Sequence, residues 1–214
     1  MARTGRPRAF DSAVALQRAR DLFWSAGYGD TSVQDLVDDL GVERGSLYAA
    51  YGDKRSLYLR AVQLYWTEYE ASLTRALRSV PLLPALREML ILPAQLGTIS
   101  TEPGNPRGCM MGNTVVELVP QDAEATALVN ESFARFRTLV AEALGEAQAR
   151  GEVSDSASPE VQAQLLLTLT QGTSLLSRTG ADATRAIAAI DLAVDGLRPP
   201  GGQVPPASNR RVPQ

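Results

Sequence analysis

Apolar residues recur along this chain at spacings of three and four, and no convincing stretch alternates with a period of two, so the pattern predicts helices. A first helix, roughly 11–26, has Asp11 as its N-cap and carries Ala15, Ala19, Leu22, Phe23 and Ala26 on one face. Gly27 and Gly29 end it. Thr31 reads as the N-cap of a second helix, with Gln34 completing a capping box and Val33, Leu36, Val37 and Leu40 facing inward. Gly41 breaks that helix. A short third one, about 43–50, turns Leu47 inward with Tyr51 one turn later. Gly52-Asp53 then leads into a long fourth helix beginning at Lys54, with Asp53 as its cap.

Five further helices follow. Pro81, Pro84 and Pro93 place the end of the fourth helix near Ser79 and the fifth at about 84–98, bent or shortened by Pro93. Residues 101–108 have loop composition, and a sixth helix spans about 109–118. The seventh runs from Asp122 to Arg150, closed by Gly151. Ser158-Pro159 is a cap and first-turn pair for an eighth. Its apolar positions nearly encircle it, with Val161, Leu165, Leu169, Gly172 and Leu176 along one line, so it must be covered on more than one side. A ninth, capped by Asp182, repeats Ala183, Ile187, Ile190, Val194 and Leu197, and from Pro199 onward the composition is that of a disordered tail. The expected class is all-α, with about nine helices.

Composition narrows the chemistry. The 214 residues include no histidine and one cysteine, Cys109, which rules out an internal disulfide, a Cys/His zinc site and any triad with a histidine base. No close carboxylate pair sits in a credible pocket motif, so no enzyme, cofactor or metal is expected. No apolar run approaches the ~18 residues of a membrane span, and the basic first residues lack a following apolar region, so the expected location is cytoplasmic. The net charge of −3 is uneven: residues 1–60 hold nine Lys+Arg against eight Asp+Glu, and the rest 12 against 16. The only lysine, Lys54, stands where the fourth helix begins, and Arg3, Arg6 and Arg8 precede the first.

Three short helices with a glycine-containing turn between the second and third make a helix-turn-helix, whose third helix enters the major groove. The runs Thr31-Ser32-Val33-Gln34-Asp35-Leu36-Val37, Leu40-Gly41-Val42-Glu43-Arg44-Gly45-Ser46-Leu47-Tyr48 and Tyr51-Gly52-Asp53-Lys54-Arg55-Ser56-Leu57, preceded by Gly5-Arg6-Pro7-Arg8, resemble the N-terminal domain of the TetR family. That resemblance implies a dimeric repressor that binds a palindromic double-stranded DNA operator and releases it when a small-molecule effector binds the body. By matching position, Arg44, Gly45, Ser46 and Tyr48 would face the groove, Lys54, Thr31 and Ser32 would meet phosphate, and Arg6 and Arg8 would follow the backbone or enter the minor groove. Ala49 and Ala50 depart from the family's frequent aromatic or His residues.

The body is expected to hold an effector pocket lined by Tyr65, Trp66, Tyr69, Met89, Cys109, Met110, Phe133 and Phe136, although aromatic and Met residues at helical spacing also build ordinary cores. The segment Arg107-Gly108-Cys109-Met110-Met111-Gly112-Asn113 resembles a Gly-Cys-x-x-x-Asn segment in one branch of the family, some members of which sense electrophiles or oxidants. A helix start and a neighbouring cation both raise thiol reactivity. A homodimer interface is expected from Val161, Leu165, Leu169, Leu176, Ile187, Ile190 and Val194. The expected division is a basic arm at 1–9, a DNA-binding head at 10–55, a body at 56–198 and a tail at 199–214. The competing reading is a helical ligand-binding or adaptor protein without DNA-binding activity.

Overall fold

A computed structural model describes residues 11–99, 108–119, 121–179 and 183–200. Among them are nine helices and no strand. The first three, α1 (Ser12–Ala26), α2 (Val33–Leu40) and α3 (Arg44–Tyr51), form a small head. The body comprises α4 (Lys54–Leu77), α5 (Leu82–Ile99), α6 (Met110–Glu117), α7 (Ala123–Ala149), α8 (Pro159–Ser177) and α9 (Ala183–Asp195). The expected Asp182 cap, residues 101–107 and the tail from 201 lie outside the described residues.

Local chemistry explains most of these boundaries. Asp11 accepts from the N–H groups of Ala13 and Val14, Asp53 from Ser56, Asp122 from Glu124 and Ala125, and Ser158 from Val161. Each such cap contributes about 1 kcal/mol. The second helix corrects the expected register by one residue. Ser32, not Thr31, is the N-cap, and Asp35 rather than Gln34 closes the box through its bond from the Ser32 N–H at 2.8 Å. Thr31 is instead buried, its hydroxyl donating to the Gly27 carbonyl at 2.6 Å.

The fifth helix begins two residues before Pro84 and continues through Pro93. Its early start follows from Glu152, whose carboxylate accepts from the N–H groups of both Leu82 and Leu83. Packing between α4, α8 and α9 offsets the hydrogen bond that Pro93 removes.

Head and body share one core. Phe23 of α1 meets Tyr58 of α4 edge-on, with centroids 5.0 Å apart, and Tyr28 meets the same ring at 4.9 Å. Aromatic pairs of this kind contribute about 0.5–1.5 kcal/mol each beyond the area they bury. Three of the seven expected interface residues, Val161, Leu165 and Leu176, lie exposed on α8, while Leu169 and Ile187 are half-buried. Ile190 and Val194 correct the expectation, because they are buried at 0% and 2% exposure inside the protomer. The a/d-like spacing of α9 is satisfied by its packing onto α5, and Leu192 occupies its outer side at 77% exposure. No described helix is long and apolar enough to cross a membrane.

Candidate nucleic-acid interface and effector cavity

The outward face of α3 follows from what its inward face must bury. Leu47 and Tyr51, one turn apart, are buried, and the Tyr51 hydroxyl donates to the Ser12 carbonyl at 2.6 Å. That anchoring leaves Arg44, Gly45, Ser46 and Tyr48 exposed together. The Arg44 guanidinium donates to the Tyr48 hydroxyl at 3.1 Å, with its carbon 5.4 Å from the ring centroid, so the pair is held along one helix face. A Cβ on Gly45 would meet nothing within 4 Å, so internal packing does not require glycine there. Its bare backbone is open to close approach from outside.

One further cation and one further exposed hydroxyl stand on neighbouring elements, Lys54 at the start of α4 and Ser32 at the start of α2. The Lys54 ammonium lies 4.4 Å from the Tyr28 ring centroid at the start of α4, where the helix dipole adds positive potential. Ser32 is exposed, and its hydroxyl oxygen accepts from the Asp35 N–H at 3.1 Å. The Ser32 bonds also hold the Asp35 carboxyl below its ordinary range. Thr31 is buried and its hydroxyl is committed to the Gly27 carbonyl, which corrects its expected side-chain contact with phosphate. Arg6 and Arg8 lie outside the described residues.

In the body, residues of α1, α4, α5, α6, α7 and α8 line a cavity of about 280 Å³. Of the eight residues expected around an effector, Tyr65, Trp66, Tyr69, Met89, Cys109, Phe133 and Phe136 line it. Met110 is buried elsewhere in the core, and its neighbour Met111 lines the cavity instead. Trp24, Gln171 and Ser174 also line it and were missed by sequence reasoning. Trp24 belongs to the head by chain order, and nothing in its local pattern signals a place in the body. Two wider grooves of about 460 Å³ lie between α4 and α7, but polar and charged groups such as Gln63 and Glu131 wall them and they open to solvent. The smaller cavity has the predominantly apolar lining of a ligand site.

The Gly108–Asn113 segment is placed by α8. Gly108 has φ +67°, and a Cβ there would stand 2.7 Å from the Ser174 carbonyl oxygen, so only glycine fits. Cys109 is the N-cap of α6, and its sulfur receives the Tyr65 hydroxyl at 3.6 Å and the Gln171 carboxamide N–H at 3.7 Å. Asn113 is buried and accepts from the Arg178 guanidinium at 2.5 Å. Arg107 lies outside the described residues.

From that segment α6 runs back to the head. The Trp24 indole N–H donates to the Gly108 carbonyl at 3.0 Å, and Thr114 and Tyr58 share a hydrogen bond of 3.0 Å. At the far end, Glu117 accepts from the Gly29 N–H at 2.9 Å. Just beyond it, Asp122 pairs with Arg55, at 2.7 Å to one guanidinium nitrogen. One short helix therefore touches the cavity wall at its start and the turn before α2 at its end.

Comparison with known proteins agrees with this architecture. Residues 15–61 match the family model described as "Bacterial regulatory proteins, tetR family", and residues 85–192 match "Tetracyclin repressor-like, C-terminal domain". The chain is 31% identical to the HTH-type transcriptional repressor ComR of Escherichia coli, over 83% of this chain and 84% of that protein. It is 32% identical to the uncharacterized HTH-type transcriptional regulator YezE of Bacillus subtilis, over 70% of this chain and 76% of the other. Among solved structures it is similar to a cysteine mutant of the TetR family transcriptional regulator CifR complexed with 26bp double-strand operator DNA. The TM-score is 0.74 at 26% identity, over 90% of this chain and 100% of that one.

Proposed function

Since this chain belongs to the TetR family of transcriptional regulators, we propose that it represses transcription by binding a palindromic operator as a homodimer and lets go when a small molecule fills the body cavity. The observation that carries the reading is the outward face of α3, where Arg44, Gly45, Ser46 and Tyr48 stand exposed on a helix anchored by Leu47 and Tyr51. Arg44 is the bidentate reader of guanine, and Tyr48 contacts a thymine methyl or a phosphate. Lys54 and Ser32 hold phosphate, and the arm at 1–9, with Arg6 and Arg8, adds charge along the backbone. The head spans 10–55, the body 56–198 and the tail 199–214, and the protein works in the cytoplasm without a catalytic role.

Release follows from the path of α6. A ligand between Trp24, Tyr65 and Cys109 pushes on the start of this helix, and Glu117 and Thr114 pass the displacement to the α1–α2 turn and to α4. The two heads then lose the spacing their half-sites demand. Selecting bound DNA from a random pool and footprinting it tests this reading. It expects two half-sites separated by one helical turn or a multiple, about 34–36 Å per turn. A selected site without two-fold symmetry, or no salt-dependent binding at all, would leave a ligand-binding adaptor as the better description.

A second route to release is favoured by one observation: the Cys109 sulfur is held on the cavity wall by hydrogen bonds donated from both Tyr65 and Gln171. An α,β-unsaturated carbonyl compound would then add across its C=C bond, the S–H bond breaking as an S–C bond forms at the β-carbon and the proton passing to the α-carbon, so that the adduct fills the cavity. Cys109→Ser should abolish release by such agents while leaving operator affinity unchanged, and equal release from both proteins would exclude the thiol.

A further inference from the structure

The cavity has a chemical bias that its apolar walls alone do not convey. Its charged lining group, Glu68, is already paired with Arg20, so no uncompensated charge awaits a ligand. Burial holds the Tyr65 and Tyr69 phenols in their protonated form. An ionised ligand would therefore lose its hydration without gaining a counter-charge, which strongly disfavours it.

One polar group, however, is left over. Ser174 is 3% exposed and lines both this cavity and an adjoining one of about 230 Å³. Its hydroxyl is the buried side-chain polar atom, among the described residues, with no hydrogen-bond partner. Native interiors rarely leave such a group unmatched unless something else supplies the partner. Gln171, one turn earlier on α8, brings carboxamide N–H groups to the same wall, held near Cys109. The donors thus cluster on α8, in a cavity that the aromatic rings of Trp24, Tyr69 and Phe136 also line. Volume sets a further limit, because a cavity of roughly 150 Å³ already accepts benzene.

We propose that the effector is a small uncharged compound, about one substituted ring in size, carrying a single hydrogen-bond acceptor such as a carbonyl oxygen that takes the Ser174 hydroxyl proton, with the Gln171 carboxamide beside it. Ser174 is then the residue that sets specificity, since an apolar isostere would leave its hydroxyl unmatched as before. This assignment rests on the body cavity being the effector site proposed above.

Three probes of similar size separate the possibilities: acetophenone with one carbonyl, ethylbenzene with no acceptor, and benzoate with a charge. The dimer is titrated with each while fluorescence from its two tryptophans, Trp24 and Trp66, both on the cavity wall, reports occupancy. Acetophenone is expected to bind at least about tenfold tighter than either of the others. In Ser174→Ala, which removes an unpartnered group and so should fold as well as wild type, the preference for acetophenone over ethylbenzene should shrink to within about twofold. Benzoate binding as tightly as acetophenone would overturn the proposal, as would an unchanged preference in Ser174→Ala. Operator binding by the same preparations is measured in parallel. If DNA binds but no probe does, the effector assignment falls and the DNA-binding reading stands; if acetophenone binds but DNA does not, the reverse holds.

Discussion

Glu117, the last residue of α6, accepts a hydrogen bond from the backbone N–H of Gly29 at 2.9 Å, joining positions 88 residues apart in the chain. The same carboxylate packs against Gly27, where a Cβ would lie 3.0 Å from an oxygen. This contact ties the body to the turn that sets the position of α2. Glu117→Ala should lower stability by about 1 kcal/mol, a fall in Tm of about 2–4 °C for a chain of this size. It should also weaken ligand-driven operator release more than it weakens operator binding itself. Calorimetry and operator titration with and without acetophenone check both effects. An unchanged Tm together with unchanged release would show that the contact transmits nothing.

The face of α3 separates two kinds of DNA contact. Arg44→Ala should cost about 1–3 kcal/mol of operator affinity and relax the base preference at one position of each half-site. Lys54→Ala should weaken binding to all sequences alike and reduce the salt slope by about 1. Fluorescence anisotropy across a salt series, with wild-type and single-base operators, distinguishes them. A uniform loss for Arg44→Ala would reassign it from base to phosphate.

Along α8 the exposed row Val161, Leu165 and Leu176 includes Gly172, whose absent side chain meets nothing within 4 Å in the protomer. A second helix can approach closely there. Gly172→Arg or Leu165→Glu should shift sedimentation from dimer to monomer with the Tm of the folded protomer nearly kept. Ile190→Ala should instead cost about 2–5 kcal/mol of stability, because it opens a cavity in the protomer's own core. Both of the first two variants staying dimeric would move the interface off α8.

Asp122 couples the start of α7 to Arg55 of α4, and the Arg55 guanidinium, followed by the Ala125 N–H, holds its carboxyl well below the usual range. A depressed folded pKa means the contribution is fully present above the unfolded value of about 3.9 and is lost as pH falls below it. The stability advantage of wild type over Asp122→Asn should therefore be flat from pH 7 to about pH 5 and shrink below about pH 4. Urea unfolding of both proteins across that range measures it. An advantage that grows on acidification would contradict the ion-pair account.

Much of the head was legible in the sequence because its elements are short and locally specified. Asp11 and Asp53 cap their helices through bonds spanning two or three residues, and Leu47 and Tyr51 must turn inward wherever α3 packs. The same local reasoning failed by one residue at Thr31, where Ser32 and Thr31 are equally good caps by type. Only burial against Gly27 separates them.

Periodicity, caps and prolines together indicated about nine helices, and the nine among the described residues each begin within about two residues of the expected start. They could not say which neighbour each apolar face meets. Ile190 and Val194 have the spacing of an interface and turn out to fill the space beneath α5, while Leu192 points outward. Trp24 belongs to the head by chain order yet walls the body's cavity, and Ser174 gains its meaning only because α8 packs against Gly108 and leaves its hydroxyl without a partner. Helix formation depends on residues three and four apart, which the chain states directly. Cavities and orphaned polar groups arise from residues brought together from distant parts of it, and that proximity exists only once the helices have packed.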